Sequence, residues 1–179
     1  MDLRVHAVLP RSYANGPGAR FVIWTQGCTL ACPGCFNPET HAGGGGERRT
    51  TEELAEAAIN AEGIDGVTIT GGEPLQQSEA VAEFCGQVKG HRSIVILTGF
   101  SRREIESDPV RMKAVENADM VVAGRYNAGR YLGKGLRGSG NKEYWALTGR
   151  YGPEDFTAIP DVEVILTVTG ERIITGMPA

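Results

Sequence analysis

Residues 21–35 have the sequence Phe-Val-Ile-Trp-Thr-Gln-Gly-Cys-Thr-Leu-Ala-Cys-Pro-Gly-Cys. The first five residues are of the apolar, β-prone kind that forms buried strands, and Gln26-Gly27 ends the run. Three cysteines follow at Cys28, Cys32 and Cys35. We therefore predict a strand that carries a cysteine-rich loop at its carboxyl end, which is the end where α/β sheets and barrels bind ligands.

Strands and helices alternate along the chain after this loop. Predicted strands cover Val67–Thr70, Ile94–Leu97 and Met120–Ala123. Helices are predicted from three start signals, which are a capping box at Thr50 and Glu53, a cap at Ser78, and a second capping box at Ser101 and Glu104. This order predicts an α/β fold with a mainly parallel sheet, and we expect residues 1–179 to form a single domain.

Apolar residues at helical spacing define the faces that these helices should bury. In the first two helices they are Leu54, Ala57, Ala58, Ala61, Val81, Phe84, Cys85 and Val88. Pro109 should interrupt the third helix. The segment Gly124–Gly152 is rich in Gly, Arg and Tyr, which is typical of a long functional loop. Val162–Val168 and Arg172–Thr175 predict a closing hairpin.

Composition excludes some classes of function. The net charge is −4, which gives no electrostatic footprint for nucleic acid or for a membrane surface. The first residues contain no apolar signal-peptide core, and no segment has the length of a bilayer span. We therefore expect a cytoplasmic protein that binds neither nucleic acid nor membranes. In that setting the clustered cysteines indicate a metal site rather than disulfides.

The number of cysteines limits the kind of metal site. Thiolates suit iron–sulfur clusters and zinc, but a structural zinc site needs four ligands. The loop offers three at a C-x3-C-x2-C spacing, which leaves one iron of a [4Fe–4S] cluster open to a small molecule. The alternatives are a zinc knuckle completed by His41 and a plain electron-transfer cluster. Cys85, on an apolar helix face, is expected in the core.

A second motif follows the second predicted strand. Gly71-Gly72-Glu73-Pro74 would expose backbone carbonyls to a cationic ligand, and Pro74 would fix the exit of the chain. Taken alone, this tetrapeptide is equally compatible with a tight turn. An electron carrier would need neither this motif nor an open iron.

These two motifs together resemble the signature of the radical SAM superfamily. The resemblance implies a partial (β/α) barrel, a [4Fe–4S] cluster on Cys28, Cys32 and Cys35, and S-adenosylmethionine bound at the open iron. Reductive cleavage would then yield a 5′-deoxyadenosyl radical that abstracts hydrogen. The resemblance also assigns S-adenosylmethionine contacts, which are Gly34, Phe36, Asn37, Gly71, Gly72, Glu73 and Thr98. Phe36 is the candidate to pack near the adenine, because Gly34 occupies the position that is aromatic in many members.

The chain is most similar to one branch of this superfamily, the activating enzymes of anaerobic (class III) ribonucleotide reductases. Asn15–Arg20 resembles their Asp-Gly-Pro-Gly-x-Arg element, with Asn15 in place of the acid, and Leu136–Asn141 resembles their Leu-Arg-Gly-Ser-x-Asn segment. The resemblance implies an oxidoreductase that makes a glycyl radical on the large subunit of such a reductase. It also implies a flavodoxin- or ferredoxin-type reductant. The alternative is a small stand-alone enzyme that acts on a peptide or a small molecule.

Polar residues of the long loop have two interpretations. Arg125, Arg130 and Arg137 would bind an acidic partner surface, or they are solvated loop charges. Asn141 would contact substrate, or it caps nearby backbone groups.

Overall fold

The computed structural model describes residues 1–177, which form a seven-stranded mixed sheet, helices on one face of it and a separate two-stranded hairpin. The strands are β1 (Asp2–Ser12), β2 (Arg20–Thr25), β3 (Glu47–Thr50), β4 (Gly66–Gly71), β5 (Ser93–Thr98), β6 (Met120–Ala123), β7 (Glu143–Ala146), β8 (Val162–Leu166) and β9 (Arg172–Gly176). The helices are α1 (Thr51–Asn60), α2 (Ser78–Val88), α3 (Arg102–Glu106) and α4 (Pro109–Val115).

The sheet has the order β3-β1-β2-β4-β5-β6-β7. Its four central strands, β2, β4, β5 and β6, run parallel, and they are the four predicted from apolar runs. Both margins are antiparallel, which the prediction of a mainly parallel sheet did not include. Strands β3 and β7 are the two edges, so the strand order describes an open sheet rather than a closed barrel.

The marginal strands were missed because they lack a period-two apolar pattern. A register shift between Val5 and Ala7 breaks the alternation in β1, and β3 is the charged sequence Glu-Arg-Arg-Thr. Strand β7 lies inside the segment that was predicted as one long loop. Edge strands are held by main-chain pairing on one side, and they tolerate charged residues.

The helix start signals were mostly correct. Thr50 and Ser101 form the predicted capping boxes, and α4 begins at Pro109 with Asp108 as its cap. The prediction for Ser78 is wrong, because Ser78 is the first residue of α2 and its hydroxyl donates to the Leu75 carbonyl. Gln77 lies between a short 3-10 turn at Pro74–Gln76 and α2, and it occupies the capping position without a side-chain hydrogen bond.

The main core lies between the sheet and the helices. The predicted apolar face of α2 is buried there, including Cys85. In α1, Ala57 is exposed, so the prediction for that residue is wrong, and Ala55 is buried instead. A smaller core covers β5 and β6 on the other face of the sheet, and it includes Phe156 and Met177.

The predicted C-terminal hairpin is confirmed as β8 and β9. It is fastened to the end of β1, because the Glu163 carboxylate accepts hydrogen bonds from the Ser12 hydroxyl (2.6 Å) and the Tyr13 amide (2.9 Å). Within residues 1–177, no helix combines the length and the apolar character that a membrane span requires.

Candidate active site

The cysteine loop begins where β2 ends. Its base is closed by backbone hydrogen bonds from Gly27 to the Thr40 carbonyl (2.7 Å) and from Cys28 to the His41 carbonyl (3.1 Å). Gly27 and Gly34 have φ values of 102° and 71°, a backbone conformation that glycine adopts without strain. These features fold the loop back on itself and present its cysteines at the carboxyl edge of the sheet.

The three loop cysteines are partly exposed, whereas Cys85 is buried in the main core. Burial raises the pKa of Cys28, and the negative charges of Glu73 and the other two cysteines add to that rise. Burial alone raises the pKa of Cys85 to about 12. Cys85 is therefore an inert core thiol, as predicted.

The three thiols have the donor chemistry that an iron–sulfur cluster requires. Within residues 1–177, no three Cys, His, Asp or Glu side chains are grouped so that they could hold one metal ion. The zinc knuckle with His41 thus has no support in the geometry of the described chain. A cluster places its protein ligands on separate irons, so three cysteines spread along one loop fit it better than they fit a single ion.

Gly71 and Gly72 join the end of β4 to the base of the cysteine loop. The Gly72 amide donates to the Thr25 carbonyl (2.8 Å), and the Glu73 amide donates to the Gly27 carbonyl (2.9 Å). A Cβ at Gly72 would lie 2.4 Å from the Gly27 carbonyl oxygen, and one at Gly71 would lie 2.5 Å from the Thr25 nitrogen. Both glycines are therefore required by the close approach of two backbone segments.

Glu73 is fully buried and braces the ends of β4 and β5. Its carboxylate accepts from the Thr98 hydroxyl (2.6 Å), the Gly99 amide (2.7 Å) and the Leu75 amide (2.9 Å). Burial raises the pKa of Glu73, and these hydrogen bonds together with the charge of Lys142 oppose the rise. The side chains predicted as ligand contacts at Glu73 and Thr98 are thus bonded to each other.

The residues predicted around an adenine lie between the cysteine loop and the long loop. The Phe36 ring is 4.8 Å from the Tyr126 ring between centroids, and a Cβ at Gly34 would meet the Ala128 Cβ at 3.6 Å. The Asn37 amide nitrogen is 3.5 Å from the Gly71 carbonyl oxygen. Phe36 and Asn37 also line a cavity of about 410 Å³ that continues over the sheet face to the C-terminal hairpin.

A family model described as "4Fe-4S single cluster domain" matches residues 14–145, which include the whole cysteine loop and the Gly71–Glu73 turn. The chain belongs to this family. An anaerobic ribonucleoside-triphosphate reductase-activating protein of enterobacteria phage T4 is 30% identical over 148 residues, which cover 79% of this chain and 92% of the phage protein. The resemblance to radical SAM activating enzymes is confirmed.

Pyruvate formate-lyase-activating enzymes are a second group of relatives. Those of Listeria monocytogenes serovar 1/2a and Escherichia coli K12 are each 34% identical over 66% of this chain. The matches cover 51% and 50% of those two proteins, so this chain spans about half their length. Residues 146–179, which include the hairpin, lie outside the match to the 4Fe-4S single cluster domain.

The element that resembles Asp-Gly-Pro-Gly-x-Arg lies at the amino edge of the parallel strands, away from the cysteines. Arg20 is fully buried there and donates to the hydroxyl groups of Thr68 (3.2 Å), Ser93 (2.8 Å) and Tyr151 (3.2 Å). Burial lowers the pKa of Arg20, and its interaction with Tyr151 opposes that change. Arg20 therefore braces the strands, whereas Asn15 at the start of the element lines the 410 Å³ cavity together with Phe36 and Asn37.

The structure shows the contacts of several polar residues in the long loop. Arg125 forms an ion pair with Glu104 (2.9 Å) and also donates to the Gly99 carbonyl, so it is not a free loop charge. The Asn141 amide donates to the Arg125 carbonyl (2.8 Å), which is the capping role. The Arg137 guanidinium lies over the Tyr144 ring at 5.0 Å, and Arg130 is exposed.

Two residues of this family site were missed from the sequence. The Gln26 amide nitrogen donates to the carbonyls of Ala42 (2.8 Å) and Glu39 (3.2 Å), and its oxygen lies 2.9 Å from the His6 ring nitrogen. Gln26 thereby fixes the far side of the cysteine loop to β1. The second missed residue is Lys142, whose signal in the sequence is only that it follows directly after the Leu136–Asn141 segment.

Proposed function

We propose that this chain is a radical SAM enzyme that activates an anaerobic ribonucleotide reductase. Cys28, Cys32 and Cys35 would hold a [4Fe–4S] cluster, and S-adenosylmethionine would bind between this loop and Gly71–Glu73. When bound, the reduced cluster supplies the electron that breaks a C–S bond of S-adenosylmethionine, which gives methionine and the 5′-deoxyadenosyl radical. That radical would take one hydrogen atom from a glycine Cα of the partner and become 5′-deoxyadenosine.

The observation that carries this proposal is the junction between the two motifs. Strands β2 and β4 are parallel neighbours with Thr25 paired to Gly71, so the motifs that follow them meet at one edge. The hydrogen bond between the Glu73 amide and the Gly27 carbonyl then holds the cysteine loop against the turn. A ligand on an open iron of this loop would lie against the Gly71–Glu73 backbone.

The chain's own residues would bind and shield this ligand. Phe36, which is 38% exposed, offers an apolar surface for an adenine, and the Tyr126 ring packs against it at 4.8 Å between centroids. Glu73 and Thr98 would act indirectly, because their bond keeps the ends of β4 and β5 in place. The long loop would exclude water from the radical and form the entrance for the partner's glycine segment.

A reductase is the preferred partner because of the coverage of the relatives. The phage reductase activator matches over nearly its whole length, whereas the pyruvate formate-lyase activators have about as much sequence again outside the match. The proposal includes a flavodoxin- or ferredoxin-type protein as reductant and a cytoplasmic location. It also includes the partial (β/α) barrel, with the helices outside and the cavity on the inner face of the sheet.

Electron paramagnetic resonance tests this function. The reconstituted chain is mixed anaerobically with the reductase large subunit, S-adenosylmethionine and dithionite, and a doublet radical signal on the partner is expected. The Cys32→Ala variant is the control and should give no signal. A cluster-loaded wild-type chain that produces 5′-deoxyadenosine but no partner radical would contradict the activating role.

The cavity favours a second candidate, a stand-alone enzyme for a peptide or small molecule. Its 410 Å³ lies within the usual size of small-molecule sites, and one wall is the hairpin that lies outside the family match. Deuterium transfer separates the candidates. Label that reaches 5′-deoxyadenosine from a small substrate, in the absence of a partner protein, would support the second one.

A further inference from the structure

Lys142 extends toward the candidate active site from the segment that precedes β7. It immediately precedes β7, which runs antiparallel to β6, so it lies at the carboxyl edge of the parallel strands. Its amide donates to the Ser139 carbonyl (3.2 Å), which fixes the backbone of this segment. At Gly124, where φ is 127°, a Cβ would lie 3.4 Å from the Lys142 Cα and 3.6 Å from its Cγ. The lysine stem thus crosses the sheet edge beside a glycine.

The ammonium group ends where Thr98 is hydrogen-bonded to Glu73. It donates to the Thr98 carbonyl at 3.5 Å, and the Thr98 hydroxyl is bonded to the Glu73 carboxylate. Burial lowers the pKa of Lys142, while the negative charges of Glu73, Cys32 and Cys35 raise it again. An ammonium has three donors, and the one protein contact described here is long, so the charge is incompletely compensated by hydrogen bonds.

Arg125, the neighbouring cation, is paired with a carboxylate. The Arg125 guanidinium makes two contacts with the Glu104 carboxylate, at 2.9 and 3.1 Å, so its charge is paired with that carboxylate. Holding a desolvated ammonium costs free energy unless anions compensate it. Three cysteine thiolates and the Glu73 carboxylate would supply that compensation in the loaded protein.

We propose that Lys142 is a positioning residue whose positive charge raises the reduction potential of a cluster held by Cys28, Cys32 and Cys35. This inference rests on the proposed function, since it requires the cluster. A cluster with three thiolate ligands becomes more negative when it accepts an electron. The Lys142 ammonium contacts Thr98, and a Cβ at the next residue, Gly99, would meet Leu30 of the cysteine loop. A fixed cation beside this loop, in a medium less polar than water, stabilises the reduced form of the cluster more than the oxidised form. Charges around the ligands of a metal site change its reduction potential in this way.

A spectroscopic redox titration tests the inference without measuring activity. Lys142→Met and Lys142→Gln remove the charge, Lys142→Arg keeps it, and Lys113→Met removes an exposed lysine of α4 as the matched control. We expect the reduction equilibrium constant to fall about tenfold in the two charge-free variants, which is about 59 mV for a one-electron couple. The Arg variant and the control should stay close to wild type.

The possible outcomes separate the two proposals. An unchanged potential in either loaded charge-free variant overturns the role of Lys142, even if S-adenosylmethionine then binds more weakly. Loss of iron from both charge-free variants, with iron retained in Lys142→Arg, overturns the inference as stated, because the charge would then be needed to bind the cluster rather than to set its potential. A wild-type chain that binds no cluster at all contradicts the proposed function itself.

Discussion

Thr98→Val tests whether the buried carboxylate of Glu73 depends on the brace that the structure shows. The substitution keeps the side-chain shape but removes the hydroxyl, which donates to Glu73 at 2.6 Å and accepts from the Phe100 amide at 3.0 Å. A hydrogen bond to a charged group contributes about 1.5–3 kcal/mol, and a neutral one about 0.5–1.5 kcal/mol. We expect the free energy of unfolding to fall by about 2–4 kcal/mol.

The assay is anaerobic guanidinium unfolding of the full chain, with thermal unfolding in parallel. For a chain of this size each kcal/mol shifts Tm by about 2–4 °C, so a Tm loss of roughly 4–16 °C is expected. Thr169→Val, in the exposed turn of the hairpin, is the matched control and should change stability by less than about 0.5 kcal/mol. A Thr98→Val effect as small as that of the control would refute the brace.

The same variant has a predicted pH dependence. Burial raises the pKa of Glu73, so folding favours its protonated form relative to the unfolded chain, and stability is lost as the pH rises through that pKa. The Thr98 bond opposes this loss because it stabilises the ionised form. The stability difference between wild type and Thr98→Val should therefore be largest above the pKa of Glu73 and should narrow below it. A difference that widens on acidification would contradict the assignment.

Two further predictions concern iron content. Cys32→Ala should lose the [4Fe–4S] cluster while Cys85→Ala retains it, measured by iron analysis after anaerobic reconstitution; four irons in the Cys32 variant would disprove the ligand assignment. Gly72→Ala places a methyl group 2.4 Å from the Gly27 carbonyl oxygen, so it should cost about 1–3 kcal/mol and abolish cluster binding. Gly86→Ala in α2 has 3.8 Å of clearance and should gain about 0.5–1 kcal/mol with normal iron. Equal iron in both glycine variants would show that the loop junction is unnecessary.

The central half of the fold was predictable because parallel strands are buried on both faces. Such strands are continuous apolar runs, and each of the four ended at a glycine or at a polar turn residue. Strands β1, β3 and β7 have no comparable signal, since their pairing depends on main-chain groups and on a neighbour that the local sequence does not specify. In β1, the longest of them, the bulge between Val5 and Ala7 interrupts the apolar alternation.

Some parts of the candidate site could be predicted from the sequence, and others could not. Cysteine spacing and a glycine pair are local signals, and both motifs could be located from the sequence. Lys142 and Gln26 act through long-range contacts, because Lys142 meets Thr98 across 44 residues and Gln26 meets His6 across 20. Their roles follow only from the order of strands in the sheet. The prediction that Ser78 caps α2 failed for a related reason, since the turn at Pro74 determines where α2 starts.

The two motifs also depend on each other more than their sequence separation implies. The amides of Gly72 and Glu73 donate hydrogen bonds to the carbonyls of Thr25 and Gly27. The Glu73 carboxylate accepts hydrogen bonds from the end of β5. Three consecutive strand ends are therefore bonded to one another through this short turn. A displacement of β4 by one residue would break every one of these bonds and would bring a side chain against the cysteine loop. The glycines and the buried carboxylate thus set the position of the cysteines, and any ligand chemistry at this edge depends on that register.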